Sequence, residues 1–170
     1  MLGRLTYLAL AAVVLALWAL MVTVTGPAIR KAAGGLVPFD LRITGYDLAE
    51  VQTFLGRISA PGRDLYLEAQ MRLDTLFPVL LGLFLTWSFV VLYPRLPAIG
   101  LAIIAMAGAG ADLLENARVA AMLRAPEVTA EMAAAASQAT VAKWALDGLA
   151  LTAFALAVAV SALRRLRGAG

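Results

Sequence analysis

Four stretches of this chain, residues 5–25, 73–93, 96–116 and 140–163, are apolar over about 20 residues each, the length a helix needs to cross a hydrocarbon layer roughly 30 Å thick. Backbone N–H and C=O groups find no water in lipid, so a spanning segment must satisfy them internally. Helices are the only solution open to segments of this kind. With 62% hydrophobic and 15% charged residues and a mean hydropathy of +0.87, the chain is far more apolar than an average soluble domain. The expected fold is therefore all-α: an integral membrane bundle of four transmembrane helices, forming a single domain over residues 1–170. Residues 26–72 are the one sizeable extramembrane loop, and a short amphipathic helix is expected within it.

The first apolar run is longer than the 7–15 residues of a secretory signal core, and Gly26-Pro27-Ala28-Ile29-Arg30 is a poor cleavage site, so it reads as a retained anchor. Arginine outnumbers lysine twelve to two and alanine is abundant, which points to a GC-rich bacterial genome and hence to a bacterial inner membrane. Histidine and cysteine are both lacking. Disulfides, thiol redox chemistry, zinc sites built on His or Cys, and Ser-His or Cys-His catalysis are excluded with them. The net charge of +3 does not mark a nucleic-acid binder, because the basic residues are scattered and flank the spans. Membrane lipids are the expected anionic neighbours.

The connections are unequal. Pro94-Arg95 joins the second and third spans into an antiparallel hairpin. In the long loop, Asp47 is placed to cap a helix over residues 48–58, where Leu48, Val51, Leu55 and Ile58 form one apolar stripe. Ser59-Ala60-Pro61-Gly62 breaks that helix and starts the next, with Pro61 suited to a first turn. The new helix is expected to run on into the second span and to kink at Pro78. Gly100, Ala105, Gly108, Ala109, Gly110 and Ala111 allow close helix approach, which predicts that the third span is the most buried. Its pattern continues to about Arg124, before Pro126, and the last helix starts near residues 127–131.

For orientation, five Lys and Arg residues lie on the side of the termini and hairpin, against eight on the other side. The five sit in very short segments beside span ends, whereas most of the eight lie in the long loop, which steers topology less. Both termini are expected in the cytoplasm.

The chemistry lies in acidic residues within the spans. At 1.5 Å per residue, Asp112 lies about 24 Å from the hairpin, Asp147 about 24 Å from Leu163 and Asp74 about 28 Å from Tyr93. All three converge on the leaflet opposite the termini. Asp112, Glu115 and Asn116 share one helical face, as do Thr140, Lys143, Trp144 and Asp147, and Tyr66, Gln70 and Asp74 make a third stripe. Ionisable groups at membrane depth are costly and are functional-site candidates by default. The expected site is a polar, acidic cavity near one membrane face, built from Asp74, Asp112, Glu115, Asn116, Lys143 and Asp147, with Tyr66, Gln70 and Thr140 in support.

Several functions fit such a set. Carboxylate and amide oxygens suit a divalent cation, the one cofactor the residues could hold, or a lipid headgroup or small polar ligand. Alternatively the cluster is a Lys-Asp-Asp lock that holds the helices in register within an accessory or assembly subunit of a larger membrane complex. A lipid-modifying enzyme is a third reading. No catalytic residue is assigned, and a non-enzyme is favoured. Lipids, a second copy of the chain or a larger membrane protein are the expected partners, and nucleic acid is not. The four carboxylates face one ammonium unless Arg72 or Arg118 turns inward, and Glu115 with Arg118 also reads as an exposed i, i+3 pair.

The segments Phe39-Asp40-Leu41-Arg42, Gly45-Tyr46, Gly62-Arg63-Asp64-Leu65-Tyr66, Asp74-Thr75-Leu76-Phe77-Pro78 and Ala111-Asp112-Leu113-Leu114-Glu115-Asn116 span roughly half the chain. Together they resemble a pattern in small uncharacterised bacterial four-span membrane proteins. The resemblance implies the architecture and the importance of Asp74 and of Asp112, Glu115 and Asn116, and it implies no activity.

Overall fold

Long apolar runs free of helix breakers yield long helices. The computed structural model describes residues 2–167 and contains α1 (Leu2–Ala32), α2 (Leu48–Arg57), α3 (Ala60–Leu92), α4 (Arg95–Arg124) and α5 (Ala130–Arg167). All but α2 are long and apolar enough to cross a membrane. The chain is an all-helical integral membrane bundle. Its helices overrun the expected spans because their polar flanks keep helical periodicity, so the connection between the first two spans shrinks from residues 26–72 to residues 33–59. Two single π turns interrupt the long helices, Met21–Thr25 in α1 and Tyr66–Gln70 in α3.

Tyr93 and Pro94 turn α3 into α4 with extended backbone. Of the long helices, α4 packs between α3 and α5, while α3 touches all three others. Over their whole lengths α4 buries eleven of its 30 residues and α3 ten of its 33, so the third span is the most buried of the four, as its small residues predict. The small residues act as expected: a side chain on Gly82 would come within 3.2 Å of Ala109 and Met106, which is why α3 and α4 can approach so closely.

One end of the bundle holds the start of α1, the end of α5 and the α3–α4 turn. There the Tyr7 hydroxyl lies 2.9 Å from Ser88 Oγ, Phe84 packs on Tyr7 and Phe154, and Tyr93 donates to the Ala153 carbonyl at 2.7 Å. The other end is closed by a cap. Asp47 and Glu50 form the reciprocal capping box at the start of α2, whose Val51 and Phe54 are buried. These pack with Ile29, Phe39, Tyr46, Tyr66, Val119 and Leu123 into a second core. Arg42 lies 5.2–5.7 Å from the centres of the Phe39, Tyr46 and Phe54 rings, donates to the Val37 carbonyl at 3.0 Å and pairs with Glu50 at 3.6 Å. Gly45, with φ of +85°, turns the loop against Ser137 of α5, where a side chain would collide with the serine hydroxyl. Ser59 caps α3, and Pro61 sits in its first turn as the sequence predicts.

Candidate functional site

Between the two cores lies a continuous polar network that begins at the π turns. The Thr25 hydroxyl, at the end of one turn, donates to Gln70 Oε1 at the end of the other. Gln70 Nε2 then donates to both carboxylate oxygens of Asp74 at 3.0 Å. Asn116 Nδ2 on α4 crosses to the Asp74 backbone carbonyl at 2.7 Å and donates to Asp112 Oδ1 at 3.2 Å. Lys143 on α5 places Nζ 3.8 Å from Asp112 Oδ1 and in closer contact with Glu115 Oε2. The other Glu115 oxygen accepts from Thr140 at 2.5 Å, and Thr140 lies 3.5 Å from the Tyr46 hydroxyl of the cap. Every long helix and the cap loop contribute a member.

The three helical faces meet as their spacing predicts, but they do not enclose an open cavity. Glu115 and Thr140 are completely shielded, and Gln70, Asp74, Asp112, Asn116 and Lys143 are buried. Two shallow surface hollows, one of about 660 Å³ between Leu36 and Thr53 and one between Val90 and Met106, lie away from these residues. Among the described residues no three carboxylates are grouped so as to hold a metal ion. The geometry gives the reason: Lys143 takes the place between Asp112 and Glu115 that a cation would need, and Asp74 is turned toward Gln70.

Three expectations need correction. Glu115 is not half of an exposed pair with Arg118; it is the most deeply buried carboxylate and the closest partner of Lys143. Arg118 donates instead to the Ala135 carbonyl at 2.5 Å, and Arg72 is exposed, so neither guanidinium turns inward to neutralise the cluster. The lock is therefore Lys143 with Glu115 and Asp112, and Asp147 stands beside it without an ion pair or hydrogen bond among the described residues. Asp147 is half-buried and leans into the space left by Gly108, where a β-carbon would collide with its carboxylate.

Asp40 is the member that pattern reading missed. It accepts from the Tyr66 hydroxyl at 2.7 Å, and its backbone carbonyl accepts from Trp144 Nε1 at 2.9 Å. Thr25 and Tyr46 were missed as well. Asp40 and Tyr46 lie in the loop and carry no periodic signal, whereas Thr25 continues the inward stripe of Val14, Leu17 and Met21 on α1 and could have been found by it.

Tyr46 offers a test of this closure. Burial pushes its phenol up to about 12, although the nearby Thr140 hydroxyl opposes the shift. The unfolded chain would release that proton near pH ~10, before the folded one, so stability should fall as pH rises from there toward ~12. The absorbance change of phenolate formation, taken as wild type minus Tyr46→Phe, should start above the range of an ordinary tyrosine. Titration of that difference signal at the ordinary value would mean that the cap is open.

Comparison of the chain with protein-family models, with curated proteins and with solved structures gives no match in any of the three.

Proposed function

We propose that the protein is a non-enzymatic structural or accessory subunit of a bacterial inner membrane, with both termini in the cytoplasm, in which the acidic cluster is an internal lock. The observation that carries this reading is Lys143, buried between Asp112 and Glu115 with its neighbours bonded to one another. A ligand site keeps polar groups free to receive its ligand, whereas this network uses them on itself. The short, arginine-bearing segments beside the span ends support cytoplasmic termini, and the Arg- and Ala-rich composition supports a bacterial source. Much of the outer face of α1 and α5, including Leu8, Leu15, Trp18, Leu149 and Leu156, is apolar and exposed, and is open to lipid or to a larger membrane partner.

A second reading rests on Asp147. Its partly exposed, unpaired carboxylate beside Asp112 is where a cation could enter at the edge of the lock. Thermal unfolding of the purified wild type and Asp112→Asn, with and without Ca2+ or Mg2+, separates the two. The lock predicts a lower melting temperature for the variant and indifference of both proteins to the cation. Stabilisation of wild type by mass action, lost in the variant, would establish the cation site instead. Native mass spectrometry of the mildly solubilised protein checks for the partner subunit, and cysteines at positions 47 and 95 should label from opposite sides of the membrane.

A further inference from the structure

The charges of this chain are divided between its two ends. All eleven Asp and Glu residues fall between positions 40 and 147, whereas Arg4, Arg95, Arg164, Arg165 and Arg167 lie outside that segment or at the α3–α4 turn. The packing brings these five together. The Tyr7–Ser88 contact sets α1 antiparallel to α3 at one level, and the Phe84–Phe154 contact sets α5 parallel to α3 at another. Counting outward at about 1.5 Å per residue, Arg4, Arg95 and Arg164 arrive within about one helical turn of the same level. Arg165 and Arg167 follow on α5, and all five are exposed.

Nothing acidic in the spans reaches them. Asp112 follows Arg95 on α4 by about 25 Å and Asp147 precedes Arg164 on α5 by about 25 Å, each well beyond a Debye length of roughly 8 Å. Among the described residues none of the five arginines forms an ion pair. Tyr7, Trp87 and Tyr93 lie just inside the ring, where amphipathic aromatics mark a membrane interface.

We propose that these five arginines form a binding surface for anionic phospholipids, which gather around the end of the bundle that carries the termini. A juxtamembrane arginine favours an anionic surface over a neutral one by roughly fivefold, and several act on the same leaflet. Phosphate-diester headgroups at this depth match the guanidinium fork, which takes two oxygens at once. The proposal rests on the chain being a membrane protein and is independent of the lock, because no residue of the ring belongs to the polar network.

The test uses the full chain in nanodiscs made from equal amounts of phosphatidylglycerol and phosphatidylcholine, with the lipids retained after mild extraction counted by native mass spectrometry. Wild type should retain phosphatidylglycerol preferentially. The triple variant Arg164→Gln, Arg165→Gln, Arg167→Gln should reduce that preference by up to about a hundredfold, since three roughly fivefold contributions are removed. Arg57→Gln, Arg72→Gln, Arg124→Gln, which empties exposed positions at the opposite end, should leave it intact. If the first variant folds poorly, Arg4→Gln, Arg95→Gln must show a smaller loss in the same direction. Equal retention of both lipids by wild type, or equal losses from the two triple variants, overturns the proposal. Capture of a polyglutamate peptide without any lipid preference overturns it in favour of an acidic protein partner. Loss of lipid preference with an unchanged melting temperature and unchanged response to Ca2+ separates this surface from the lock.

Discussion

Lys143→Met should destabilise the purified protein by about 3–5 kcal/mol, the largest loss expected from any single substitution here, because it strands buried carboxylates without a counter-charge. Methionine fills much of the lysine stem's volume, so packing changes little and the loss reports the charge. Glu115 is completely shielded, so no water replaces the ammonium, and Asp112 keeps only the bond from Asn116. Adding Glu115→Gln should recover part of the loss by removing the most deeply buried orphan, so the two effects should fall short of additivity. Equilibrium unfolding followed by the fluorescence of the three tryptophans provides the measurement. A Lys143→Met protein as stable as wild type would mean that the cluster does not bind the helices together.

The second large effect is steric. Gly62→Ala should cost about 1–3 kcal/mol, since overpacking a tight contact forces backbone shifts. The new methyl group would collide with the Ala32 β-carbon and come within 3.3 Å of Ser59 Oγ and Ile58 Cγ1. Ala32 Cβ cannot rotate away, so the end of α1 and the start of α3 must part. Ala32→Gly in the same chain should restore much of the melting temperature, although glycine in a helix costs up to about 1 kcal/mol. Gly108→Ala is the useful contrast: its collision is with the Asp147 carboxylate, the mobile end of a side chain, and its cost should be smaller. A Gly62→Ala protein that melts like wild type would show that this junction is looser than its geometry.

The spans, the hairpin, the capped α2 and the common depth of Asp74, Asp112 and Asp147 were legible in the sequence, because apolar length and a period of 3.6 residues fix them. Glu115 shows where that logic ends. Its spacing fits both a partner for Arg118 on the surface and a place on the Asp112 face, and only the packing of α5 chooses between them. Asp40 and Tyr46 lie in a loop, where no period says which side chain points inward. The π turns carry no recognisable sequence signal, whereas Thr25 was legible as the polar member of the Val14, Leu17 and Met21 stripe. Whether three polar faces enclose a hollow or close on one another depends on side-chain lengths and rotamers, which periodicity does not contain.

The position of Lys143 also orders the making of the bundle. Asp112 and Glu115 both leave the ribosome before it, so the third span carries two carboxyl groups whose counter-charge does not yet exist. Only the last helix brings the ammonium that pairs Asp112 with Glu115. A chain cut short before that helix keeps every acid of the network except Asp147 and none of its neutralising charge. Such a fragment differs from the finished protein in kind, and completeness of synthesis is written into the same contact that holds the mature helices together.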